Sequence, residues 1–206
     1  MFWPTRRKFL DMDTNAPVKV WTTQHPDAWI EAQRRGWLSG KHPWSYMRAE
    51  DEDQASPQFV RAYEWMRKMM AERIPEFSGD LPVWCWHKRS NPRQKSMRLS
   101  EPYVRIAALV PRSRILASGH SEWHSVLNGM PLVGEEEWYA WDKATIWGAC
   151  ATGKVAAGVE KTWEGVFDLR PRTGVDAQWM GQPNIVQFCV DRIKLDEIIS
   201  VRTFSI

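Results

Sequence analysis

Cysteine is scarce in this chain: Cys85, Cys150 and Cys189 are the only three. Their number is odd, their spacing is wide and no Cys-x-x-Cys occurs, which fits a reducing cytoplasm better than a disulfide scaffold. Histidine is sparse too, and of the five only His120 and His124 lie close together. No stretch approaches the roughly 18 consecutive apolar residues of a membrane helix, so no membrane association is expected. Met1 to Pro17 carries Arg6, Arg7 and Lys8 but no long apolar run, and does not read as a secretory signal. There is no Walker loop, nucleophile elbow, dinucleotide fingerprint or His-Glu-x-x-His. Gly148 to Gly153 is not a phosphate loop, because Val155 rather than Ser or Thr follows Lys154. Neither sign of charge dominates: 28 basic against 25 acidic residues give +3, which permits a nucleic-acid partner without demanding one. Internal repeats and low-complexity tracts are also missing.

What the chain has in excess is tryptophan, fourteen in 206 residues. Trp brings a large apolar ring and one N–H that needs a partner when buried. Several stand among polar residues: Trp21-Thr22-Thr23-Gln24, Trp84-Cys85-Trp86-His87, Trp123-His124 and Trp163-Glu164. The mixture implies either an indole-rich core or a pocket walled by aromatics that grips a flat ligand.

Residues 1–16 read as a peripheral arm and 17–206 as a single domain. Val18 to Thr22 alternates as a strand should. Pro26-Asp27 opens a helix to Arg35 with Gly36 at its stop, and Trp29, Ile30, Trp37 and Leu38 are the expected buried face. Gly40 to Ser56 reads as a loop. A second helix runs from Ser56-Pro57 to about Ile74, with Phe59, Tyr63, Met66 and Met70 at helical spacing. Strands are expected at Val83–His87, Tyr103–Val110, Ile185–Val190 and Ile198–Phe204, with Ile115-Leu116 a short apolar continuation. Ser118 to Asn128 reads as a turn and short helix, Glu135 to Trp147 as one helix with acids in its first turn, and Gly148 to Gly158 as a flexible connection. Thr162 to Phe167 is a short element of open type. The fold class is α+β, with a mixed or mainly antiparallel core sheet flanked by helices.

Taken together, Trp21-Thr-Thr-Gln24, Tyr63-Glu-Trp-Met-Arg-Lys-Met, Val83-Trp-Cys-Trp86, Trp123-His-Ser-Val-Leu-Asn128, Trp163-Glu-Gly-Val-Phe-Asp-Leu169 and Ile185-Val-Gln187 resemble, in order and spacing, a bacterial and phage family known only as a domain of unknown function. The resemblance covers roughly residues 18–204. Where that family carries an acidic pair near the turn before Trp-His, this chain has Gly119 and Ser121. The layout is also similar, more faintly, to DNA-modifying ADP-ribosyltransferases. It shares an early strand and helix ending near a Gly, a long insertion, a strand ending in Pro, a Ser118-Gly119-His120 turn and a late strand led by Ile185-Val186-Gln187. The Glu expected two positions beyond Gln187 is replaced by Cys189.

This second resemblance implies a protein that binds NAD and modifies a nucleic acid or a protein. Trp21, Thr22 and Gln24 would then line a nicotinamide–ribose pocket. His120, Trp123, His124 and Asn128 would position ligand, with His124 and Glu164 as the catalytic candidates. Each has a plainer alternative. Trp21-Thr22-x-Gln24 also suits a buried indole followed by a helix cap. His120 and His124 share a helical face but lack the further ligands that zinc requires, so no metal is expected. Glu164 also suits a solvated loop. Independently of any resemblance, Lys88, Arg89, Arg93, Lys95 and Arg98 form the densest basic run. With Trp84 and Trp86 beside them they suit a nucleic-acid backbone with a base stacked on an indole, or simply a solvated loop. A non-catalytic nucleic-acid or nucleotide-binding module, or a protein-interaction domain, is therefore the alternative function.

Overall fold

The computed structural model describes residues 13, 15–40, 57–88, 102–170 and 185–204. Of the N-terminal arm only residues 13, 15 and 16 fall within these, and Arg89, Arg93, Lys95 and Arg98 lie outside them. The fold is α+β, and among the described residues no helix is long and apolar enough to cross a membrane. The chain divides into two compact units. The first comprises Met1–Tyr46, Arg67–Leu116 and Gln187–Ile206; the second comprises Met47–Met66 and Ala117–Val186.

The framework of the first unit is an antiparallel sheet. Strand β1 (Pro17–Gln24) pairs along its whole length with β4 (Tyr103–Pro111), from Pro17↔Pro111 to Gln24↔Val104. On its other side it pairs with β3 (Val83–Trp86), which pairs in turn with β6 (Val186–Val190). Strand β8 (Ile198–Phe204) closes one edge against β4, and β5 (Ile115–Gly119) closes the other, giving the order β5-β6-β3-β1-β4-β8. A small second sheet joins β2 (Trp37–Ser39) to β7 (Arg192–Lys194).

Period-two patterning explains the sheet's two faces. Val18, Val20, Val83, Cys85, Val104, Ile106, Ala108, Val110 and Phe188 are all buried and share one face through the strand register. Burial of each Val, Ile or Phe contributes about 1.5–3 kcal/mol. Helix α1 (Pro26–Arg35) starts where His25 accepts a bond from the Asp27 N–H at 3.2 Å and Pro26 needs no donor partner. It ends at Gly36, whose φ of 89° allows its N–H to reach the Ala32 carbonyl at 2.9 Å. Its buried stripe is Ala28 and Ala32, an i, i+4 pair, whereas Ile30 is exposed. Trp37 and Leu38 are not part of its face. They lie beyond the glycine stop and pair as strand β2, with Leu38 opposite Ile193.

The second unit is mainly helical. It takes the first half of α2 (Pro57–Arg73), then α3 (His120–Leu127), α4 (Glu135–Ala140), α5 (Lys143–Ala151) and α6 (Val159–Thr162), followed by a 3₁₀ turn, Trp163–Phe167. Glu135 to Trp147 is thus two helices. Trp141 adopts an extended conformation, and Asp142 opens α5 by accepting the Ala144 N–H at 3.1 Å. Gly148 to Ala151 belongs to α5 rather than to a loop. The core is aromatic. Trp163 is fully buried and donates its indole N–H to the Met130 carbonyl at 2.9 Å. Trp65 stands edge-on to Trp163 at 5.5 Å and stacks on Phe167 at 5.8 Å, while Tyr63 meets Trp123 edge-on at 5.6 Å. Trp65, Trp123 and Trp163 are therefore core.

Candidate functional site

The three central strands of the first unit bring the candidate site together. Directly opposed residues of antiparallel neighbours project to one face. The register Ala107↔Trp21, Trp21↔Trp86 and Trp86↔Gln187 therefore lays Trp21, Trp86 and Gln187 in one row across β1, β3 and β6, with small Ala107 beside Trp21 on β4. Both indoles are half-buried. Gln187 is 3% exposed, and its amide Nε2 has no hydrogen-bond partner among the described residues. Leaving such a donor unmade costs about 1–3 kcal/mol.

The same face carries positive charge. Lys19 holds its ammonium 5.0 Å from the Trp21 ring, and Arg105 and Arg202 stand opposite each other on β4 and β8. Arg105 is 4% exposed and stacks its guanidinium on Phe204 at 4.7 Å. On the other face of the sheet, His87 follows β3, half-buried with its ring 6.4 Å from Phe188. Burial first, and the neighbouring Lys88 charge second, lower its pKa from 6.5 to about 4, so it is a neutral imidazole at pH 7. On the row's own face, Trp21 and Trp86 can stack a planar ring, Gln187 can donate a hydrogen bond to it, and Lys19 and Arg202 can face an anion.

Strand alternation separates Thr22 and Gln24 from Trp21. Thr22 is buried on the opposite face, where its hydroxyl donates to the Trp84 carbonyl at 2.8 Å and accepts from Gln24 Nε2 at 2.7 Å. Cys85, also buried there and beside Thr22, has its thiol pKa pushed up, first by burial and then by Cys189. Trp84 and Trp86 share the half-buried face of β3, and Lys88 follows two residues beyond Trp86.

His120, Trp123, His124, Asn128 and Glu164 all belong to the second unit. Trp123 is core. His124 is exposed, with its Nδ1 2.8 Å from the His120 carbonyl, and exposed Asn128 donates to the His124 carbonyl at 2.7 Å. These polar groups thus bond within their own helix. His120 is half-buried with its ring 4.4 Å from that of His124, and its pKa is lowered, first by burial and then by His124. Among the described residues no group of three His, Cys, Asp or Glu could hold a metal ion. Glu164 is exposed on the 3₁₀ turn, next to buried Trp163.

Gln187 of the row, and His87 on the other face, have no site role in the sequence reading. The signal for Gln187 is a polar residue inside the apolar run Val186–Val190, a strand buried along its entire length.

The chain matches the family model described as Domain of unknown function (DUF3841) over residues 19–141 and belongs to that family. The matched span includes β1, β3 and β4 with Trp21 and Trp86, and ends before β6. No curated protein and no solved structure matches the chain.

Proposed function

We propose that this protein is an ADP-ribosyltransferase-like binder of NAD, holding the nicotinamide end against the Trp21–Trp86–Gln187 row and acting on a nucleic-acid or protein target. The observation that carries the reading is the buried Gln187 amide, which lacks an acceptor and lies in register with two half-buried indoles. Nicotinamide has a flat ring to stack and a carboxamide oxygen to accept the Nε2–H. The pyrophosphate is anionic, and Lys19, Arg105 and Arg202 supply positive charge on the same face. The order of elements adds support by analogy only: β1, then α1 ending at Gly36, a Ser118-Gly119-His120 turn closing β5, and Gln187 on the late strand. Cys189 occupies the place of the expected Glu, and Glu164 is exposed on its 3₁₀ turn rather than enclosed. The reading places the protein in the cytoplasm, where free thiols such as Cys85, Cys150 and Cys189 persist.

A second reading has its own observation. Trp21, Trp84 and Trp86 share one half-buried face with Lys19 and Arg202, as a single-stranded nucleic-acid platform would. One titration separates the two. With NAD at up to millimolar concentration, the first reading gives saturable indole quenching and a calorimetric signal, both weakened roughly tenfold or more by Gln187→Ala. Absence of both signals, together with salt-dependent binding of a single-stranded oligonucleotide, would replace it with the second.

A further inference from the structure

Helix α5 of the second unit has no polar face. Residues 144–151 read Ala-Thr-Ile-Trp-Gly-Ala-Cys-Ala and carry no charge. The one hydroxyl, on Thr145, donates to the Asp142 carboxylate at the helix start. Yet Ile146 is the only buried residue of the helix, and Ala144, Trp147, Gly148 and Ala151 are all exposed. Offsets of three, four and seven residues place these four on one side. A helix that is apolar all round is ordinarily covered all round, whereas α5 buries only the side of Ile146.

Two residues on the exposed side are not explained by packing within the chain. Trp147 is 55% exposed, a large ring left in water. Gly148 stands in the middle of the helix, where glycine is disfavoured against alanine because it loses more conformational freedom. Its φ is not positive, and a Cβ added there would meet nothing within 4 Å among the described residues. Neither the backbone nor a close neighbour therefore requires glycine at 148. What glycine permits is the close approach of another backbone. Charge is confined to the helix ends: Asp142 caps the start, and Lys154 follows the left-handed Gly153 at the stop.

We infer that this face is the contact between two copies of the chain, with α5 packed antiparallel on α5 of the second copy about a two-fold axis. A two-fold contact needs one patch that carries both halves of the fit. In the antiparallel pairing, Trp147 of each copy comes opposite Gly148 of the other, and Ala144 comes opposite Ala151. Each ring then covers a glycine, and the alanines let the axes approach to about 8 Å, the close end of helix packing. The same pairing sets the Asp142 end of each helix beside the Lys154 end of the other and opposes the two helix dipoles. A parallel pairing would instead bring Trp147 against Trp147 and Asp142 against Asp142.

Sedimentation of the full chain over a concentration series tests the contact. The mass should rise from the 24.1 kDa of one chain to twice that value. Gly148→Leu fills the space opposite Trp147, and Trp147→Ala removes the ring. Each should weaken association roughly tenfold or more with unchanged circular dichroism, since both positions are exposed. Cysteine pairs read the orientation. Residues 144 and 151 are about 10 Å apart along one helix, too far for a disulfide within the chain. In a Cys150→Ser background, Ala144→Cys with Ala151→Cys should give a covalent dimer under mild oxidation, and either change alone should not. A monomer at every concentration up to millimolar, a dimer indifferent to Gly148→Leu and Trp147→Ala, or a covalent dimer from Ala144→Cys alone would overturn the inference.

Discussion

Replacing Gln187 by methionine should make the protein more stable. The amide is 3% exposed and its Nε2 has no hydrogen-bond partner among the described residues. Burial of an unbonded amide costs about 1–3 kcal/mol on the evidence of protein variants. Methionine is unbranched and close in length, so it fills the same space beside Trp86 and Cys189 with little repacking. Taking about 2 kcal/mol, the middle of that range, and allowing up to about 1 kcal/mol for imperfect fit leaves a net gain of about 1–2 kcal/mol. With a urea slope of about 2 kcal/mol per molar, the unfolding midpoint should rise by roughly 0.5–1 M at unchanged slope. Far-ultraviolet circular dichroism against urea reads this directly. Under the proposed function the same variant loses NAD-induced quenching, so stability and binding should move in opposite directions. A midpoint that falls, or stays where it was, would show that the amide is satisfied in the folded protein and would remove the observation on which the proposed site rests.

His87 should make stability depend on pH. Its folded pKa of about 4 lies below the ordinary 6.5, so between these values the unfolded chain binds the extra proton. Stability therefore falls as pH drops from about 6.5 to about 4, and is fully retained above that window. His87→Gln should flatten part of this slope in urea titrations at stepped pH, with a remainder in the same direction from His120; an unchanged slope would refute the assignment. Gly40→Ala should destabilise the first unit by about 1–3 kcal/mol, because the added Cβ would stand 2.1 Å from the Pro82 carbonyl oxygen and 2.4 Å from that of Leu81. Thermal melts showing no loss would mean that the Gly40–Leu81 bridge can open without cost.

Much of the local structure was legible because its signals are local. Pro26 and Gly36 bracket α1, Pro57 opens α2, and the alternating run at β1 and the apolar run at β4 read as strands without any tertiary knowledge. Local signals failed where two elements compete for the same residues. Trp37 and Leu38 continue a helical spacing, but the glycine stop and pairing with β7 make them a strand. Trp141 and Asp142 interrupt an otherwise helical run because an aspartate starts a new helix as readily as it continues an old one.

For the candidate site, the sequence by itself determined the ingredients: the indoles, the absence of any metal or phosphate-loop motif, and an odd Gln in an apolar strand. Tertiary structure decided which of them meet. Strand register, which depends on partners from distant parts of the chain, put Trp21, Trp86 and Gln187 in one row and turned Thr22 and Gln24 to the opposite face. A one-residue change of register would exchange these two sets, since neighbouring side chains on a strand point to opposite faces. Burial likewise sorted the tryptophans, sending Trp123 and Trp163 into the core and leaving Trp147 exposed. Spacing along the chain cannot encode that choice, because it is set by what the other elements bring against each indole.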